Sequence, residues 1–216
     1  MVRRVALVLS LAVLAAPGAR GENFELPAFK AGYLGLGLHL GMVLPTATNG
    51  FSERAGRGAA VSLRVTRFIA DWIALGAELG GDLHLKHKSA STPGGSTNDA
   101  SYEARALHAS LLGRVNLFES RSWSPYVIGG VGLNKLSAKG AAPGAACWPL
   151  GQGCAASVSG ASTGVELSGG VGLEFFIMRG MALSLEGRFR EHRVDGKTLG
   201  AGAESLSASF GTTFWF

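Results

Sequence analysis

The stretch from Gly32 to Leu44, GYLGLGLHLGMVL, places Leu34, Leu36, Leu38, Leu40, Met42 and Leu44 at every second position, with Tyr33, Gly35, Gly37, His39 and Gly41 between them. Successive side chains of an extended chain point to opposite faces, so a period of two describes a strand with two different environments. The pattern recurs. Ala59 to Ile69 sets Val61, Leu63 and Val65 against Ser62, Arg64 and Thr66, and Ile73 to Lys86 sets Ile73, Leu75, Ala77, Leu79, Leu83 and Leu85 against Gly76, Glu78, Gly80, Asp82 and His84. Tyr102 to Leu117 opposes Leu107, Ala109, Leu111 and Val115 to His108, Ser110, Arg114 and Asn116, and Pro125 to Ser137 offers Val127, Val131 and Leu133 as its apolar face. Gly164 to Ile177 carries Val165, Leu167, Val171, Leu173 and Phe175 against Glu166, Ser168 and Glu174. Met181 to Val194 carries Met181, Leu183, Leu185 and Phe189 against Ser184, Glu186, Arg188, Arg190 and His192. In the last segment Leu206, Ala208, Phe210, Phe214 and Phe216 oppose Ser205, Ser207, Ser209, Gly211 and Thr213.

Eight such segments, each near the roughly 9 to 11 residues that a tilted strand needs to cross a hydrocarbon layer, predict an all-β, eight-stranded antiparallel up-and-down transmembrane barrel. The connections support an end-to-end difference. Pro45 to Gly58, His87 to Ser101, Ala138 to Thr163 and Asp195 to Ala203 are long, whereas those around FIADW, FESRSWS and IMRG are short. Both termini then lie on the short-turn side, and closure requires the last strand to pair with the first.

Alternation alone fits either a soluble barrel with a greasy pocket or a membrane barrel with a greasy exterior. Composition separates them, because the face bearing the charges also bears Gly35, Gly37, Gly41, Gly76, Gly80, Gly130, Gly132, Gly170 and Gly172, and eight strands enclose room for little more than side chains. The Leu, Val and Phe face is therefore expected to meet lipid. Trp72, Trp123, Tyr126, Phe175, Phe214 and Trp215 gather near the short-turn end, as an interfacial aromatic girdle does.

The first 21 residues, MVRRVALVLSLAVLAAPGARG, have paired arginines, an apolar run from Val5 to Ala16 and small residues after it. This is the form of a secretory signal, cleaved before Glu22. Residues 22–31 are expected to form a short periplasmic segment, and residues 32–216 the barrel. Removing Arg3, Arg4 and Arg20 lowers the formal net charge from +5 to about +2, and no Lys/Arg-rich run with interleaved aromatics remains, which argues against a nucleic-acid partner. In an oxidising compartment Cys147 and Cys154, within CWPLGQGC, are expected to close a small disulfide ring, since the segment offers no His, Asp or Glu to complete a metal site.

The polar face collects Arg64, Arg114, Arg188 and Arg190 with Glu78, Asp82, Glu166, Glu174 and Glu186. Charges inside so narrow a barrel are tolerable only when paired and hydrogen-bonded, so an interior ion-pair network is expected, with Arg114 and Arg188 meeting carboxylates such as Glu78 and Glu166. A narrow conducting path or a small-ligand pocket is the competing use of the same residues. No cofactor is expected, and His39, His84, His87 and His192 lack metal-ligand spacing.

With SPYVIGGVGLNKL, GVELSGGVGLEFFIMRGMALSLEGRFRE and SASFGTTFWF on the page, the chain resembles the small eight-stranded outer-membrane barrels of Gram-negative bacteria, of the OmpA, OmpW and opacity-porin type. The resemblance implies outer-membrane lipid and lipopolysaccharide as surroundings, and recognition by the barrel-assembly machinery of a terminal signal at Ser209, Gly211, Phe214 and Phe216. It implies a non-enzymatic envelope-structural or surface-interaction role through loops whose partners are unknown, with a narrow pore or a carrier of apolar molecules as the alternative. A further resemblance, the His108–Ser110 pair, is similar to the His-x-Ser of an outer-membrane lipid A deacylase. Leu111 stands where that family has Asn, and alternation turns His108 inward.

Overall fold

A computed structural model describes residues 31–46, 57–88, 101–118, 123–143, 155–178, 180–194 and 203–216. The predicted leader, the 22–30 part of the N-terminal segment, and Cys147 and Cys154 lie outside the described residues. The strands are β1 (Leu34–Pro45), β2 (Gly58–Ala70), β3 (Ile73–Lys88), β4 (Ser101–Asn116), β5 (Trp123–Pro143), β6 (Ala155–Met178), β7 (Met181–Val194) and β8 (Ala203–Trp215). Each pairs antiparallel with its neighbours in sequence, and β1 pairs with β8 to close an eight-stranded barrel. Closure extends to the chain end, where the Leu34 and Phe216 backbones exchange hydrogen bonds of 2.8 and 3.1 Å. No lipid-exposed strand edge is left along that seam.

The alternation read from the sequence is the in–out alternation of the barrel. Leu38, Leu79, Leu111, Leu133, Val171 and Phe214 stand exposed on the outside, while Arg64, Glu78, Ser110, Asn134, Glu166 and Arg188 are buried inside. An apolar band around the full circumference far exceeds the few hundred Å² that a water-facing monomer exposes, and only hydrocarbon makes it favourable.

Three features depart from the sequence expectations. The stretch Ala138–Thr163 is not all loop: Ala138–Pro143 pairs with Ala155–Gly160, so β5 and β6 extend as a long hairpin. Runs of Ala, Ser and Gly carry no contrast between faces, and their strand character leaves no periodic signal. Second, Tyr126 and Trp215 point into the lumen rather than into an outer girdle, since they share parity with Ser124 and Thr213, whereas Trp72, Trp123, Phe175 and Phe214 are exposed. Third, the inner face is not uniformly polar, because Phe68, Leu112, Ile128 and Leu136 are buried there as well.

The short-turn end is drawn tight. Between Met178 and Met181, Gly180 adopts φ of 79°, a left-handed conformation that glycine takes without a Cβ clash, and the β6–β7 register shifts between Phe176 and Met178. Phe68, Ala74, Ala182 and Trp215 pack together just inside this end, with Tyr33 and Phe176 against them.

Candidate functional site: the lumenal charge network

Each charged member reaches the lumen because its strand parity turns it inward and the register sets it beside a partner. Arg64 and Glu78 are directly opposite on β2 and β3. The Arg64 guanidinium donates to Glu78 Oε2 from Nε (3.0 Å) and Nη2 (2.7 Å), and to Glu186 from Nη1 (Oε2, 2.9 Å) and Nη2 (Oε1, 3.0 Å). Arg188 donates from Nη1 to Glu78 Oε1 (2.6 Å) and from Nη2 to Glu186 Oε1 (2.7 Å). Two guanidiniums and two carboxylates thus form a four-membered ring across the lumen. The Tyr126 hydroxyl donates to Glu186 Oε2 at 2.9 Å. Room for that phenol comes from Gly172, where any Cβ would collide with the Tyr126 ring.

Toward the long-connection end the balance shifts to carboxylates. Arg190 donates to Asp82 Oδ1 at 3.3 Å, and its Nη2 lies 3.6 Å from Glu78 and its Nε 4.0 Å from Glu166. Glu166 accepts from the Ser110 hydroxyl at 3.1 Å and has His192 Nδ1 at 3.4 Å, while His192 Nδ1 stands 2.7 Å from Asn134 Nδ2. One neutral donor, the Ser110 hydroxyl, here supplements one guanidinium shared among three carboxylates. His39 spans the opposite wall, its Nε2 3.1 Å from the Ser184 hydroxyl and its ring filling the space left by Gly211.

Toward the short-turn end, Arg114 pairs with Glu174 at 2.5 Å and donates to Asn116 Oδ1 at 2.8 Å. Its guanidinium lies 4.0 Å from the Tyr126 ring centroid, 5.6 Å from Trp215 and 6.0 Å from Phe68. Arg188 meets Glu78, but Arg114 meets neither Glu78 nor Glu166. Its place one end of the lumen away from them depends on barrel shear, which no sequence pattern displays.

The nine charged residues named from the sequence are all buried and lie on the inner face. The sequence reading placed Asn116 on the polar face but missed Tyr126 and Asn134 as polar members. Their parity with Ser124 and Leu136 held the signal. His108 and Ser110 are both lumenal, with His108 Nε2 3.4 Å from Glu78 and the Ser110 hydroxyl bonded to Glu166 rather than to the imidazole. Among the described residues no cluster of His, Cys, Asp and Glu is suited to a metal ion. Of the four terminal positions, Phe214 and Phe216 face outward, Gly211 underlies His39, and Ser209 is half-buried on the inner face.

A family model described as the outer membrane protein beta-barrel domain matches residues 6–214. The chain belongs to this family. Comparison with curated proteins yields no match. Among solved structures, this outer-membrane barrel is similar to Neisserial surface protein A, with a TM-score of 0.54, 15% identity, and coverage of 86% of this chain and 98% of that one. It is similar also to Ail, the attachment invasion locus protein of Yersinia pestis, with a TM-score of 0.51, 11% identity, and coverage of 86% and 99%. At such identities the likeness is one of fold. Family and fold together place the barrel in an outer membrane.

Proposed function

We propose that this outer-membrane barrel is a closed, non-enzymatic envelope protein whose biological role is structural or is exercised at the cell surface by its long connections. The observation that carries this reading is the lumen itself. Arg64, Glu78, Glu186 and Arg188 span it with direct hydrogen bonds, and Phe68, Tyr126 and Trp215 close around Arg114 below them. Eight strands leave little further cross-section for a solute. Similar folds in a surface protein and an attachment protein are compatible with this role, and the inward-facing His108 and Ser110 lend no support to lipid A deacylation.

Export through a leader cleaved before Glu22, and an oxidised Cys147–Cys154 ring on the third long connection, belong to the same reading. The test is planar-bilayer recording on protein purified from membranes, whose intact mass should correspond to a chain starting at Glu22 and lacking the two thiol hydrogens. The expected recording is featureless. Discrete conductance steps from the folded barrel would sink the closed-lumen reading and favour a narrow pore.

A further inference from the structure

The strands do not all end at one level on the long-connection side. β3 and β4 pair as far as Lys88 with Ser101, β4 and β5 as far as Tyr102 with Gly140, and β5 and β6 as far as Pro143 with Ala155. Among the described residues the flanking strands stop short: β2 pairs with β3 no further than Ala59 with Leu83, and β7 pairs with β6 no further than Gly164 with Val194. Four strands thus continue past the closed part of the barrel as a sheet. Among the described residues that sheet has two unpaired edges, His84–Lys88 on β3 and Ala155–Thr163 on β6.

The two edges differ in kind. An edge strand offers a row of backbone N–H and C=O groups to any other strand, and natural proteins guard such rows with lysine, proline or a bulge. The β3 edge is guarded, since Lys86 and Lys88 lie on it and the β3–β4 register shifts at its base between Asp82 and Leu85. The β6 edge, AASVSGAST, has neither a charge nor a proline over its nine residues, a length of about 30 Å. Its other side pairs without interruption with β5, which holds the backbone extended.

We infer that the β6 edge from Ala155 to Thr163 is a homophilic contact, occupied by the same edge of a second copy of this chain in a facing membrane. Charge selects the occupant. Like charges directly opposite one another destabilise a strand pair, and this edge has none to set against its own copy, whereas the Lys86 and Lys88 edge would repel itself. Direction then sets the geometry. Two copies that offer the same edge are related by a two-fold axis, an isologous contact, and their strands pair antiparallel about Ser159, the midpoint of the segment. β6 runs from the long connections toward the short turns, so an antiparallel partner belongs to a barrel of opposite orientation. Copies in one membrane all point the same way, and in such barrels the long connections are extracellular, so the opposed copy stands across the gap between two cells. A single nine-residue ladder is weak, and many of them between two surfaces act by avidity. The inference rests on the surface-contact reading above and names its partner.

Vesicle tethering tests it. Two populations of phosphatidylcholine vesicles, one with a donor dye and one with an acceptor, carry the folded barrel purified from membranes with its long connections outward, and energy transfer is read on mixing. Wild-type populations should cluster. Ser159→Lys on both, or Ser159→Glu on both, should lower the transfer on the order of tenfold, because like charges then meet across the axis. Ser159→Lys vesicles mixed with Ser159→Glu vesicles should recover it, and Lys86→Gln, on the guarded edge, should leave clustering undiminished. Heat-modifiable electrophoretic mobility reports that each variant is folded. Dispersed wild-type vesicles, clustering that survives Ser159→Lys on both populations, no recovery in the mixed pair, or an equal loss in Lys86→Gln would each overturn the inference. The bilayer recording of the closed lumen is independent of all of these outcomes, so the two readings fail separately.

Discussion

The middle of the lumen and its short-turn end are filled by different means. In the middle, Arg64 and Arg188 each meet both Glu78 and Glu186, and nearly every polar contact is charge to charge. At the short-turn end the Arg114–Glu174 ion pair is surrounded by the rings of Tyr126, Trp215 and Phe68, the last two 5.3 Å apart between centroids. The first region fills its cross-section by mutual saturation of charge, the second by bulk. Saturated charge tolerates the loss of a member poorly, because the partners left behind stay buried and unpaired. Bulk is more forgiving, since removing a single contact leaves the rest of the plug in place.

The sharpest way to break this comparison is Glu78→Ala, which strips a carboxylate from Arg64 and Arg188 at once. The expected loss of unfolding free energy is about 3 to 5 kcal/mol, measured by urea titration in lipid vesicles. A loss below about 1 kcal/mol would mean that the ring is not mutually dependent. Tyr126→Phe probes the boundary between the two regions. It removes only the 2.9 Å bond to Glu186, whose two guanidinium partners remain, and keeps the ring against Arg114, so about 1 kcal/mol should be lost. An effect matching that of Glu78→Ala would merge the two regions into one network.

The smallest equilibrium effect is expected outside the lumen, at Phe216→Ser. The substitution keeps the backbone bonds with Leu34 and removes an exposed ring, so unassisted refolding into lipid should shift by under about 1 kcal/mol. If the terminal aromatic is read by the assembly machinery, insertion in cells should slow nonetheless. Equal defects in both settings would assign Phe216 to the barrel alone.

Strand number, order and facing were legible because a two-sided wall leaves a period-two trace wherever its faces differ, as at Leu34 to Leu44. Where the faces do not differ the trace vanished, which is why the Ala138–Pro143 and Ala155–Gly160 portions of the long hairpin read as loop. The candidate site was legible as a set of inward charges but not as pairs. Arg64 and Glu78 pair between adjacent strands, but Arg64 with Glu186 and Arg188 with Glu78 join strands distant in sequence, and those contacts depend on curvature and stagger. Trp215 illustrates a subtler loss: an aromatic near a membrane boundary suggests the interface, and only strict parity with Thr213 turns it inward to cover Arg114.

The seam between β1 and β8 has a consequence for timing. One ladder of hydrogen bonds along β1 is supplied by β2, which follows it closely, but the other is supplied by the last strand of the chain, ending with Phe216 bonded to Leu34. That second ladder cannot form until β8 itself has been synthesised and exported. Hairpins between sequence neighbours can appear early at low loop-closure cost, whereas the closing step joins the most distant segments and comes last. Until then the barrel is an open sheet with two unsatisfied edges, a species that hydrocarbon rejects and that water exposes to aggregation. Insertion and closure are therefore bound into a single late event, and the interval before it is when the chain depends most on being escorted.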